Sequence, residues 1–402
     1  MGLLDKLLGK KPGYNDFARE MIRTLKSFGA HEIREDVATR SVRIDSADAT
    51  YYLDNAFSDY VSVTAPERPE VLRRYAASFT QKRGIPSDYA ACKSQLLPVV
   101  RDPAYYGLTY LMFKAKGADI SKLNFVTREF APGLAVGIAH DTPNNIATIG
   151  ASQLATWQVT PEQAFDQALS NLREKSSEPR FKELGSGLYV AEWGDCYDTA
   201  RILLPEMFHR LPLDGAPVVF LPNRDTLFVT GSYNVSAQSV ILKHGSAIHF
   251  EQGHSLSPNF YVHSDGNWSL FTPGDQSVAR EARAVRYRRE VMDYEQQKQY
   301  LEDLHKRESL SISKTRLSTT GRRESTPLVQ TQRVNRDSSF NCSSWQEAMN
   351  IKAKELLSLP WDKAWPVLSP FLEKVPDLVP VRYRARTFPP VEQLRTLPQF
   401  AC

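Results

Sequence analysis

Four of the eight histidines lie within twenty residues, with Glu251 between them and Asp265 just after them. The four are His244, His249, His254 and His263. Imidazole and carboxylate groups are the ligands that zinc and iron take from proteins. The spacings of five, five and nine residues match no standard metal motif, and the sequence contains no HExxH. A metal-dependent hydrolase is therefore one hypothesis, and separately satisfied histidines in loops and turns are the other.

A second candidate site is a dense polar run, which consists of Asp195, Cys196, Tyr197, Asp198 and Arg201. An aspartate at a helix start accepts hydrogen bonds from free backbone N–H groups and lies at the positive end of the helix dipole. Asp198 and Arg201 are three residues apart and can pair on one helix face. Cys196 could act as a nucleophile if its pKa were lowered and if His209 or His140 supplied a base. A structural role in capping is the interpretation that we favour.

The third candidate is a concentration of positive charge. Residues 280–336 hold 14 Lys or Arg against 8 Asp or Glu, whereas the whole chain has a net charge of only +4. The candidate anion-binding residues are Arg280, Arg283, Arg286, Arg288 and Arg289. Such a patch can neutralise the phosphates of nucleic acid or of an anionic membrane surface. Glu281, Glu290 and the acidic residues of 293–303 offset it locally, so a solvated helix face is the alternative.

No cofactor is predicted. The sequence has no phosphate-binding loop of the GxxxxGK[ST] type, and Gly185-Ser-Gly187 is too short for a dinucleotide fingerprint. The Gly-x-Ser-x-Gly elbow of α/β-hydrolases is also absent. These absences leave the histidines and Cys196 as the possible carriers of hydrolytic chemistry.

The composition is that of a globular protein. The chain has 402 residues, of which 42% are hydrophobic and 24% charged, and this length suggests two or three domains. No apolar run approaches the ~18 residues of a membrane span. Four scattered cysteines and the lack of a signal peptide predict a cytoplasmic protein. Leu3, Leu4, Leu7 and Leu8 could form a short amphipathic face at the membrane periphery.

Hydrophobic periodicity predicts the elements that must position these residues. Helices are predicted over 15–28, 66–79, 161–172, 198–208, 234–242 and 278–307. Strands are predicted over 32–44, 50–63, 125–129, 134–138, 187–192, 218–221, 226–230, 261–262 and 268–271. Residues 96–100 form a short apolar segment, 105–114 read as helix or strand, and 140–145 as a turn. Hairpins dominate this order, which is typical of an α+β fold.

The domain organisation follows from changes in composition. We predict an amphipathic segment (1–13), two α+β parts (14–176 and 177–274), a long basic helix (275–308), a flexible Ser/Thr/Arg-rich linker (309–344) and a small helical C-terminal module (345–402). The linker holds 14 Ser or Thr, which is typical of disorder, although a weak hairpin is an alternative. The C-terminal module begins at a capping box, Ser344-Trp-Gln-Glu347.

Short motifs in a fixed order carry a resemblance to a known family. They are Leu53-Asp54-Asn55, Leu97-Pro98-Val99, Asp141-Thr142-Pro143, Thr160-Pro161-Glu162, Asn171-Leu172, the run Tyr197-Asp198-Thr199-Ala200-Arg201-Ile202-Leu203 and Pro222-Asn223-Arg224-Asp225. Over residues 14–272 the chain resembles the YtpQ-like proteins, a bacterial family of unknown function. The resemblance implies a cytoplasmic bacterial protein but no activity and no catalytic residue.

These observations together favour a non-enzymatic cytoplasmic protein that binds or scaffolds a macromolecular partner, with a protein as the expected partner. A metal- or cysteine-dependent hydrolase is the first alternative. A nucleic-acid-binding protein that uses Arg280 to Arg289 is the second.

Overall fold

The computed structural model describes residues 12–37, 39–45, 49–80, 85–142, 145–307, 339–341, 358–376 and 378–385. Helices and antiparallel sheets make up these residues, which confirms the predicted α+β class. The chain divides into two compact units. The first unit comprises residues 1–102 and 124–282, and the second comprises 103–123 and 283–402.

The elements have the following bounds. The helices are α1 Tyr14–Ser27, α2 Asp54–Ser62, α3 Arg68–Thr80, α4 Pro103–Ala115, α5 Ala151–Trp157, α6 Pro161–Lys175, α7 Val235–Glu251, α8 Gln276–Arg307 and α9 Trp361–Leu368. The strands are β1 Ile33–Asp36, β2 Ser41–Ile44, β3 Ala49–Tyr52, β4 Leu96–Arg101, β5 Thr127–Ala131, β6 Leu134–Thr142, β7 Asn145–Thr148, β8 Phe181–Gly185, β9 Leu188–Ala191, β10 Pro217–Phe220, β11 Phe228–Gly231, β12 Phe260–Ser264, β13 Asn267–Phe271, β14 Ser339–Asn341, β15 Ser358–Pro360, β16 Leu372–Lys374 and β17 Tyr383–Ala385. Short 3-10 helices span Ala65–Glu67, Lys93–Gln95, Ile120–Lys122, Asp198–Leu203, Pro205–Arg210 and Ser369–Phe371.

The first unit begins with an N-terminal part, in which α1, α2 and α3 and the antiparallel sheet β1-β2-β3 share a core of their own. Phe17, Met21 and Leu25 of α1 are fully buried at the predicted helical spacing. The prediction of a strand over 50–63 is wrong beyond Leu53, because the chain turns there into α2. Ala56 and Tyr60, both buried, are four residues apart and thus lie on one face of that helix.

The rest of the first unit has four layers. One core joins the four-stranded sheet of β4 to β7 to the six-stranded sheet β13-β12-β10-β11-β9-β8. A second core lies between the four-stranded sheet and α5 and α6. On the far face of the six-stranded sheet, Gly245 of α7 approaches the Phe220 ring closely. Strand alternation explains the layers, because Val219 and Leu221 face the shared core while Phe220 faces α7.

Two hairpins show how local sequence sets these sheets. Asp265 and Gly266 adopt φ values of +51° and +76°, as the tight turn between β12 and β13 requires. The turn predicted at 140–145 begins too early, because β6 continues through Thr142 and pairs with β7 from Asn145. His140 and Asp141 are therefore strand residues.

The helix predicted over 198–208 is not one continuous α-helix. Two 3-10 helices, Asp198–Leu203 and Pro205–Arg210, occupy this segment. Proline lacks an N–H group and disfavours helical geometry in the residue before it. Leu204 accordingly has φ −118° and ψ 65°, and the chain changes direction there. We call residues 198–210 the 3-10 segment.

In the second unit, the predicted long helix is confirmed as α8. The buried Arg382 donates to the Gln297 side chain and, over 2.8 Å, to the Tyr294 carbonyl. Gln297 donates to the Pro380 carbonyl at 2.7 Å. These bonds hold the segment before β17 against α8. The predicted segment 1–13 lies outside the described residues except for Pro12 and Gly13, as do most of 309–344 and the predicted helix that starts at Ser344.

None of the helices in the described part of the chain is both long enough and apolar enough to cross a membrane.

Candidate functional site

The candidate site around residue 195 is built on a buried guanidinium. Arg201, in the 3-10 helix Asp198–Leu203, is fully buried. It donates to both carboxylate oxygens of Asp195 at 2.9 and 2.8 Å and to the Ser176 hydroxyl at 3.0 Å. Its Cζ lies 4.1 Å from the centre of the Trp193 ring. Arg201 thus connects the end of α6, the loop after β9 and the 3-10 segment.

The two aspartates have different roles in this network. Asp198 accepts hydrogen bonds from the backbone N–H groups of Trp193 and Gly194 at 3.0 and 3.1 Å, so it fixes the loop before the 3-10 helix. Burial raises its pKa despite these bonds. Burial also acts to raise the pKa of Asp195, but the hydrogen bonds and the charge of Arg201 outweigh it and hold that pKa below its ordinary value. Asp195 is therefore the charge partner of Arg201, and the predicted Asp198 pair is a longer contact of 3.9 Å.

A second polar group adjoins this network at Tyr197. The Tyr197 hydroxyl is buried near Asp141 of β6, and burial together with that carboxyl raises the tyrosine pKa well above its ordinary value. Burial also raises the pKa of Asp141, which the charge of Lys175 opposes. The Lys175 Nζ lies 3.8 Å from the Asp141 carboxylate. Asp141 and Lys175 are the members of this site that the sequence analysis did not identify, because tertiary contact alone brings them to Tyr197.

The structure counts against Cys196 as a nucleophile. Cys196 is exposed, yet its thiol pKa is raised, chiefly by desolvation from the surrounding protein atoms and then by the nearby Asp225, whereas a nucleophilic cysteine requires a lowered pKa. The two proposed bases have other partners. His140 is hydrogen-bonded to Gln95 at 2.7 Å, and His209 is hydrogen-bonded to another histidine. What the site shows is therefore a thiol without activation.

The four clustered histidines do not converge. His244 is exposed on α7, and His249, buried on the same helix, bonds to the Pro222 carbonyl at 2.7 Å. His254 lies 3.3 Å from Asp59 of α2, and His263 is on β12. In the part of the chain that the structure describes, no three His, Cys, Asp or Glu side chains are placed to hold a metal ion. The alternative expectation, that all four lie in loops and turns, is also wrong, because three belong to regular elements.

The sequence analysis missed one contact between histidines. His209 Nε2 lies 2.8 Å from His263 Nδ1, and the two belong to the 3-10 segment and to β12. They are 54 positions apart, so no local spacing indicates the contact.

The arginines of α8 do not form one face. At about 3.6 residues per turn, the five positions are distributed around the whole helix. Arg289 is half-buried and lies 2.9 Å from the Asp293 carboxylate, while Arg280, Arg283 and Arg288 are exposed. Binding of nucleic acid or of an anionic membrane surface by these residues stays a prediction.

The outward face of α7 has unusually little charge. Lys243 and Glu251 are the only acidic or basic side chains, other than histidine, in its 17 residues. Val235 and Val240 are 39% and 42% exposed, and Tyr233, just before the helix, is 75% exposed. A solvated helix face normally carries several charges. We call the exposed residues of α7, together with Tyr233, the α7 outer face.

Comparison of the chain with family models, with curated proteins and with solved structures finds no match.

Proposed function

We propose that this chain is a non-enzymatic cytoplasmic protein that binds a protein partner through the α7 outer face. The observation that carries the proposal is the combination of two exposed valines and few charges on α7 with an exposed tyrosine just before the helix. Protein interfaces are enriched in aromatic residues and depleted of charged ones at their centre. The partner that fits is one that presents an apolar surface of its own.

The candidate polar site supports a structural interpretation. The charge of Arg201 is paired with Asp195, and the other groups that Arg201 contacts belong to the first unit. The Cys196 thiol has a raised pKa. Removal of such a network would disturb folding before it disturbed binding. Membership of the YtpQ-like family also stays a prediction; it would fit this proposal but adds no activity to it.

A matched pair of substitutions tests the proposal. Val240→Asp places a charge on the α7 outer face, and Leu270→Asp places the same charge on the edge strand β13 at nearly equal exposure, 42% against 43%. A candidate partner identified by cross-linking is purified, and its affinity for the three proteins is measured by calorimetry. We expect Val240→Asp to weaken binding at least tenfold and Leu270→Asp to leave it within twofold of the wild type.

Equal affinity of all three proteins for the partner would refute the α7 outer face as the binding surface. A self-association that Val240→Asp abolishes would make a second copy of the chain the partner. Turnover of a substrate that tracks with Cys196 would overturn the non-enzymatic proposal itself.

A further inference from the structure

The contact between His209 and His263 constrains how many protons the two rings can hold. Their facing nitrogens are 2.8 Å apart, which is a hydrogen-bond distance, and His263 is only 8% exposed. A neutral imidazole has one donor nitrogen and one acceptor nitrogen, whereas an imidazolium has two donors. The bond therefore survives while at least one ring is neutral. When both rings are protonated, no acceptor is left between them and two positive charges face each other.

The histidine pair lies where the 3-10 segment meets the β12–β13 hairpin. Trp268 of β13 packs against His263 and Phe208, with ring centres 5.0 and 5.7 Å apart. Its indole N–H donates to the Ile202 carbonyl at 2.9 Å. The segment attached in this way also carries Asp198 and Arg201, so a change at the pair reaches the polar network around residue 195.

We propose that His209 and His263 form a pH-sensitive contact, which holds the 3-10 segment on the β12–β13 hairpin near neutral pH and releases it when both rings are protonated. The inference is independent of the proposed function, since it concerns the opposite side of the six-stranded sheet from α7.

The surroundings of the pair support this inference. Burial and the neighbouring His209 lower the pKa of His263, and the Gly266 backbone opposes them. The 3-10 helix Pro205–Arg210 carries two other charged residues. Glu206 lies 3.5 Å from Arg173 of α6, and Arg210 is exposed. Trp268, which covers the ring from β13, has no titratable group. None of these contacts supplies a carboxylate that would compensate the second proton.

The direction of the pH effect follows from linkage. Because the folded protein binds the second proton less readily than the unfolded chain does, the contribution to stability is complete above the unfolded histidine pKa of about 6.5. It is lost as the pH falls below that value. Each proton that only the unfolded chain binds changes the unfolding equilibrium by up to about tenfold per pH unit.

The unfolding constant measured with urea at pH 7.5 and at pH 5.5 tests this pH-sensitive contact. The variants are the double change His209→Gln with His263→Gln, which keeps amide donors and acceptors but cannot titrate, and His244→Gln, which removes an exposed histidine of α7. Acidification should increase the unfolding constant of the wild type and of His244→Gln at least fivefold more than that of the double variant. Equal pH dependence of all three proteins would overturn the proposal.

If the double variant does not fold, NMR of the wild-type protein tests the proposal instead. The ring resonances of His263 followed by NMR should shift in two steps as the pH falls, and resonances of residues 198–210 should change with the second step only. A single step of the His263 ring without a change in the 3-10 segment would equally overturn the proposal.

Discussion

At the scale of single residues, Asp195 supplies most of the charge balance of the Arg201 guanidinium, because the Asp198 carboxylate lies at the longer distance of 3.9 Å. The other hydrogen bond of Arg201, to Ser176, is to a neutral group. The cost of burying a charge is therefore offset mainly by Asp195 and by the Trp193 ring. Removal of the carboxylate leaves the cation buried, which is worse than removal of both partners together.

Asp195→Ala should accordingly lower the free energy of unfolding by about 3–5 kcal/mol. The matched control is Glu192→Ala, which breaks the exposed pair with Lys182 at 3.1 Å and should cost at most about 1 kcal/mol. Urea denaturation of the three proteins measures both values. A similar small loss for the two variants would mean that Arg201 is stabilised without Asp195.

The Cys196 thiol should react more slowly than an unperturbed thiol at neutral pH. Its raised pKa reduces the fraction of thiolate, which is the reactive form. Alkylation by iodoacetamide, followed at Cys196 by mass spectrometry between pH 7 and 10, should have its midpoint above that of glutathione in the same solution. A rate that is already maximal near pH 7 would restore the nucleophile hypothesis.

Sequence spacing identified the residues from Asp195 to Arg201 but neither Asp141 nor Lys175, and it did not predict that Asp195 would be the closer partner of Arg201. The spacing of Asp198 and Arg201 predicts an ion pair on one helix face. Asp195 nevertheless makes the closer contact with the arginine, because the loop before the 3-10 segment turns back. Gly194 and Cys196 both have φ of +66° there. A non-glycine residue in that conformation needs support from its surroundings, which no local pattern reveals.

At the scale of elements, prediction succeeded where one local signal acts alone. The helix predicted over 161–172 is present as α6, which begins at a capping box of Thr160 and Gln163. Prediction failed at α7, which was expected to end at Leu242 but continues to Glu251. Gly245 lies inside this helix where the helix crosses the sheet, and an added Cβ would lie 2.6 Å from the Phe220 ring.

Gly245→Ala therefore tests packing against helix propensity. Alanine at an unrestricted helix position stabilises by roughly 0.5–1 kcal/mol relative to glycine. Here overpacking against Phe220 should reverse the sign and destabilise by about 1–3 kcal/mol. Ser239→Ala, on the exposed side of α7, is the control and should change stability by less than about 0.5 kcal/mol. Stabilisation by Gly245→Ala in urea would show that α7 can move away from the sheet.

At the scale of the whole molecule, the N-terminal part has its own core but is tied to the rest of the first unit through Asp59. This aspartate, on α2, accepts hydrogen bonds from Arg74 and Tyr75 of α3, both at 2.8 Å. The His254 ring, from the loop after α7, lies 3.3 Å away. The backbone carbonyl of His254 accepts a hydrogen bond from the Arg224 backbone N–H at 3.1 Å, so one carboxylate links α2 and α3 to the loop between β10 and β11 of the six-stranded sheet.

The attachment of the N-terminal part should therefore depend on pH through Asp59. Burial alone would raise the pKa of Asp59, but hydrogen bonds from His254 and Tyr75 and the charge of Arg74 outweigh it and lower the pKa. A depressed folded pKa gives stability that is complete above the unfolded value of about 3.9 and is lost as the pH falls through the folded value.

Asp59→Asn should thus cost about 1–3 kcal/mol at pH 7, and the difference from the wild type should shrink as the pH falls below about 4. Urea denaturation at pH 7, 5 and 3.5 measures this difference in the free energy of unfolding. The control is Asp16→Asn, which alters an exposed pair on α1. A constant difference at all three pH values would mean that Asp59 acts by shape and not by charge.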